Sequence, residues 1–102
     1  MDEFSQLEMK EHVEKVVKKF STGQKPVSVG LVDIEPVKGF TTVILIVGEG
    51  TQAAQVVGNA KRMNYHNKSR GISADKNRVT TGLNVATTRA LNRAGLYIRG
   101  GK

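Results

Sequence analysis

Residues 51–63 read TQAAQVVGNAKRM, and the fold depends on whether they form a helix or a strand. Ala53, Val56, Val57 and Ala60 recur at a helical period. Gly58, however, falls in the interior of that pattern, where glycine costs a helix about 1 kcal/mol. Glu49-Gly50 just upstream suits a hairpin that would turn Gln52–Ala60 back as a strand. The strand is the favoured reading of this segment.

On the N-terminal side, Phe40 to Val47 (FTTVILIV) is rich in β-branched residues and apolar on both faces at its centre. That suits a central strand covered on at least one side. Before it, Val27, Val29 and Leu31 alternate, then Val32 and Ile34 alternate on the other phase, which predicts a bulge near Leu31. Pro36-Val37-Lys38-Gly39 is a turn between the two strands. Ser5-Gln6-Leu7-Glu8 fits a capping box. A helix then carries Phe4, Leu7, Val13, Val16, Val17 and Phe20 as its expected buried stripe, and Gly23 is expected as its left-handed cap. Glu11 with Lys15 and Glu14 with Lys18 add pairs four residues apart.

On the C-terminal side, Asn64 to Asn77 reads as a polar, basic loop. A last helix follows, with Val79, Leu83, Ala86, Ala90 and Ala94 on one face and Gly95 as its stop. The expected order is helix, three strands, helix: an α+β fold with a three-stranded antiparallel sheet and both helices on one face. The 102 residues make one domain, expected over 1–98 with a flexible tail at 99–102.

Charge is the strongest pointer to a partner. Residues 51–102 hold ten Lys or Arg against one acid, Asp75, for a net +9, whereas residues 1–50 sum to −2. The densest stretch, Ala60 to Arg78, carries Lys61, Arg62, Lys68, Arg70, Lys76 and Arg78. A one-sided positive field attracts polyanions, of which nucleic acid is the commonest in a cell. These six cations would neutralise phosphates, with Tyr65 and His66 against a base or sugar. Arg89 and Arg93, four apart, either extend that track or pair with Glu8, Glu11 or Glu14 of the first helix. Aromatic residues make up only 5% of the chain, which disfavours a stacking platform for single strands and favours a duplex, RNA or DNA.

Other chemistries find weak footing. The chain has no cysteine and no His-x-x-x-His spacing, so no metal site or other cofactor is expected, and His12 reads as exposed among charges. Gly48-x-Gly50-Thr51 follows a strand but lacks the Lys-Ser/Thr ending of a phosphate loop, so it reads as a hairpin turn. Asp33 and Glu35 would share one side of a strand, yet no third ligand or base accompanies them, and the chain reads as non-catalytic. The acidic N-terminus is unlike a signal peptide and the longest apolar run, Val43–Val47, is far too short for a bilayer. A cytoplasmic protein, with no membrane partner, is expected.

The local text adds a family likeness. Val57-Gly58-Asn59-Ala60-Lys61-Arg62-Met63-Asn64, then Asp75-Lys76, then Gly82-Leu83-Asn84-Val85-Ala86-Thr87-Thr88-Arg89-Ala90-Leu91 resembles small bacterial and phage domains with a double-stranded-RNA-binding-domain-like fold. In these a third strand ends in Gly-x-Ala-Lys/Arg and a helix bears Ala-x-x-Arg-Ala-Leu. The resemblance implies the α-β-β-β-α order, and most such domains have no assigned function. Duplex-RNA binders of the family set a Lys-Lys-x-x-Ala-Lys cluster at the last helix and a Gly-Pro-x-His hairpin. This chain has Asp75-Lys76-Asn77-Arg78 and Glu35-Pro36-Val37-Lys38-Gly39 there, departures that argue against specific duplex-RNA recognition and leave room for a generic phosphate-binding face to which Lys76 and Arg78 contribute. The last helix also resembles one in phage single-strand annealing proteins, which implies an oligomeric annealing protein as one alternative. A phage-type interaction module docking on an acidic host protein is the other.

Overall fold

A computed structural model of the chain describes residues 5–35, 39–61 and 76–101, with no side-chain description for 76–78. The elements are α1 (Gln6–Phe20), β1 (Val27–Glu35), β2 (Phe40–Val47), a single 3₁₀ turn (Gly50–Gln52), β3 (Ala54–Lys61) and α2 (Lys76–Arg93). The decisive segment is therefore a strand. It begins two residues later than Gln52 because the 3₁₀ turn occupies 50–52, with Ala53 N–H donating to Gly50 O. Gly48 and Gly50 both adopt positive φ, as hairpin glycines do.

The sheet is antiparallel in the order β1-β2-β3. The bulge falls at Gly30, between Val29 and Leu31, and switches the inward face from Val27 and Val29 to Val32 and Ile34. β3 pairs with β2 in unbroken register from Val47–Ala54 to Phe40–Lys61. Along β2, Thr41, Val43, Leu45 and Val47 are buried under the helices, while Thr42, Ile44 and Ile46 look to the open face. Both helices pack on one side: α1 on β1, α2 on β3 and β2, and each on the other. The core joins Val13 and Val17 of α1, Val43 and Leu45 of β2, and Leu83, Ala86, Ala90 and Leu91 of α2. Each fully buried leucine there contributes roughly 1.5–3 kcal/mol.

Ser5 caps α1 as its sequence predicts: its Oγ accepts from Glu8 N–H at 3.1 Å, and Glu8 Oε1 accepts from Ser5 N–H at 3.3 Å. The stripe differs from expectation. Met9, Val13, Val16 and Val17 are the buried residues, Phe20 is half-buried and Leu7 is 66% exposed. At about 100° per residue Leu7 points roughly 140° from the centre of that stripe, so the sheet cannot reach it. Phe4 lies outside the described residues. The helix also ends without a left-handed cap. Ser21 is extended, its N–H donates to Val17 O, and Gly23 takes its φ of +80° in the bend beyond. Ser21 is held because it bridges to Tyr97, and Ile98 N–H donates to Phe20 O at 2.7 Å.

α2 starts at Lys76, so Lys76 and Asn77 belong to the helix rather than to the loop before it. Its C-terminus is a Schellman motif. Gly95 sits at φ +72°, Leu96 N–H donates to Leu91 O, and Gly95 N–H donates to Asn92 O. Leu91 and Leu96 are both buried, supplying the apolar contact of that motif. Leu96 then leads into the return segment, where Tyr97 stacks on Phe20 with ring centroids 5.9 Å apart.

Candidate nucleic-acid interface

The helices run side by side in the same direction, since His12 meets Asn84 and Phe20 meets Tyr97. The short connection from Phe20 to Val27 makes α1 antiparallel to β1, so α2 is antiparallel to β3. Hence Lys61, at the end of β3, and Lys76 and Arg78, at the start of α2, lie toward one end of the molecule. The segment between them carries Arg62, Tyr65, His66, Lys68 and Arg70, all of which lie outside the described residues. Lys61 itself is exposed.

The two arginines further along α2 resolve more sharply. Arg89 Nη1 donates to Asn59 O at 2.9 Å. It is therefore held at the outer side of β3 and not against the carboxylates of α1. The cause is helical geometry: the buried arc of α2 runs through Ala86 and Ala90, Asn84 lies to its α1 side, and Arg89 lies to the other. Arg93 is exposed one turn further along the same face.

Charge separates by element. Among the described residues the carboxylates are Glu8, Glu11 and Glu14 on α1, Asp33 and Glu35 on β1, and Glu49 in the β2–β3 hairpin. β3 and α2 carry cations only: Lys61, Lys76, Arg78, Arg89 and Arg93. β1 and β3 are opposite edges of the sheet, so the imbalance of the sequence becomes an imbalance across the fold.

One expectation is overturned and one feature is new. His12 is half-buried rather than exposed, and its ring Nε2–H donates to Asn84 Oδ1 at 2.6 Å, because it faces α2 across the helix pair. Beside that bond lies a groove of about 390 Å³ lined by His12, Lys15, Lys19, Phe20, Asn84 and Thr88. Asp33 is exposed on β1 opposite Thr42, and Glu35 is half-buried opposite Phe40. No cluster of three metal-ligating side chains occurs among the described residues. None of the described helices is long and apolar enough to cross a membrane.

Comparison with protein-family models, with curated proteins and with solved structures returned no match.

Proposed function

We infer that this protein binds nucleic acid, preferentially duplex, through the phosphate backbone and without catalysis. Lys61 on β3 and Lys76, Arg78, Arg89 and Arg93 on α2 supply phosphate contacts. Arg62, Lys68 and Arg70 add phosphate contacts from the connecting segment, and Tyr65 and His66 contact sugar or base. The observation that supports this reading is the absence of any carboxylate from β3 and α2 among the described residues. Cations on elements that carry no acid of their own keep their attraction for an external polyanion. Phosphate contacts of this kind fix position without reading sequence, so weak sequence preference is expected.

The test is fluorescence anisotropy with duplex RNA, duplex DNA and single strands of equal length. Duplexes should bind at low micromolar protein, more tightly than single strands. The variant Lys61→Ala/Arg62→Ala/Lys68→Ala/Arg70→Ala should lose binding while keeping its circular dichroism spectrum. No shift at low micromolar protein, with partners that survive nuclease treatment in a pull-down, would replace this reading with a protein-docking one.

A further inference from the structure

The two edges of the sheet are finished differently. β1 is blunted as edge strands commonly are: it is bulged at Gly30, it carries Asp33 and Glu35, and Gln6 Nε2 caps its outward Val32 carbonyl at 2.6 Å. β3 has none of the bulges, charges or prolines that protect an edge between Ala54 and Ala60, and its register with β2 is regular throughout; its one cap among the described residues is at the far end, where Arg89 holds the Asn59 carbonyl. The Arg89 bond identifies its outward groups. Asn59 O accepts from a helix side chain, so Asn59 turns its N–H and C=O away from β2. Antiparallel strands alternate in this respect, so Val57 and Gln55 turn theirs outward too.

The flanks of that edge also carry information. On the helix side stand Arg89 and Arg93. A guanidinium has five N–H donors, and Arg89 gives one to Asn59. Residues four apart on a helix are separated by about 6 Å along its axis, close to the ~6.7 Å repeat of same-face residues on a strand. Two acidic residues at alternate positions of an added strand therefore match the two arginines. On the open side, register aligns Leu31, Ile44 and Val57 in one row across the three strands. Leu31 is 48% exposed. An apolar side chain beside Val57 would lengthen this row.

We propose that the outer edge of β3 is a strand-addition site for an extended, acidic segment of a partner protein. Its backbone pairs with Gln55, Val57 and the N–H of Asn59, whose carbonyl Arg89 already holds, its carboxylates face Arg89 and Arg93, and its apolar residues alternate with them on the open face. A nucleic acid has no ladder of alternating N–H and C=O groups to offer this edge. A second copy of the chain would bring Arg89 and Arg93 against their own counterparts. An acidic peptide satisfies both the backbone and the charge.

The probe is a synthetic hexapeptide of alternating valine and glutamate, added to the full-length, ¹⁵N-labelled protein, with a valine-block–glutamate-block hexapeptide of identical composition as control. Amide exchange should slow at Gln55, Val57 and Asn59, while Val56, Gly58 and Ala60, already bonded to β2, change little. The block peptide should bind roughly tenfold more weakly, since it cannot present both its backbone and its carboxylates in register. Val57→Pro deletes one outward N–H without touching the β2 ladder and should weaken the alternating peptide by a similar factor. If that variant does not fold, Arg89→Gln/Arg93→Gln tests the charge half of the site, and should also weaken the peptide roughly tenfold. Equal binding of the two peptides, or unchanged exchange at the three edge amides, would each overturn the proposal. Failure here leaves duplex binding by the wild-type chain, read separately by anisotropy, unaffected.

Discussion

Replacing Gly58 by alanine should destabilise the fold far more than the loss of two hydrogens suggests. Gly58 is buried in β3 beneath α2. A methyl built there overlaps the Ala86 carbonyl oxygen and falls 2.7 Å from the Ala90 nitrogen and 2.9 Å from the Ala90 Cβ. Two of these three atoms are helix backbone, which has no rotamer to change. Relief requires α2 to lift from the sheet by roughly 1 Å, loosening the contacts of Leu83, Ala86 and Ala90 together. Overpacking of this kind costs about 3 kcal/mol, against a gain of about 0.4–1 kcal/mol from restricting the unfolded chain. Steric cost wins. For a chain of this size the net change should lower Tm by roughly 10–20 °C. Gly95→Ala is the comparison: nothing lies within 4 Å of its added methyl, and only the φ of +72° opposes it. That variant should lose about 1 kcal/mol. Thermal melts followed by circular dichroism would compare the two. An unchanged or raised Tm for Gly58→Ala would mean that α2 does not press on β3 at this point, and the packing described here would be wrong.

Two further substitutions test other parts of the scaffold. Thr87 is fully buried and its hydroxyl finds no partner among the described residues, so Thr87→Val should raise stability by about 1 kcal/mol in a urea titration; a decrease would mean the hydroxyl is bonded. Ser5→Ala removes half of the capping box and should cost about 1 kcal/mol, read in the same assay, with full stability in the variant refuting the capping role.

How much of this was legible in the sequence depends on which physical signal each element carries. β2 was read to the residue because its β-branched run ends at glycines on both sides. The β1 bulge was visible as a change of alternation phase. Gly58 counted only as an argument against a helix, and its role as the point of closest approach between β3 and α2 needed coordinates. The buried face of α2 proved wider than a single stripe. The helix packs on the sheet and on α1 together, so Thr87 and Leu91 are buried beside the expected alanines. Leu7 falls off the buried stripe because residues three or four apart share a face only while their helical angles stay together, and Leu7 lies on the opposite side from Met9, Val13 and Val17. The return of Leu96–Ile98 onto the end of α1 had no periodic signal, because three residues pairing with a helix terminus have no period to show. In the site, the cation-only character of β3 and α2 followed directly from composition. The destination of Arg89 did not, because choosing between α1 and β3 requires knowing which side of α2 each one occupies.

The central claim is that β3, α2 and the basic segment between them bind phosphates. It is tested most directly by the salt dependence of duplex binding, measured as the logarithm of the association constant against the logarithm of salt concentration. With the eight phosphate contacts proposed the slope should be roughly −7. A slope near zero, or no binding at low salt, would contradict it.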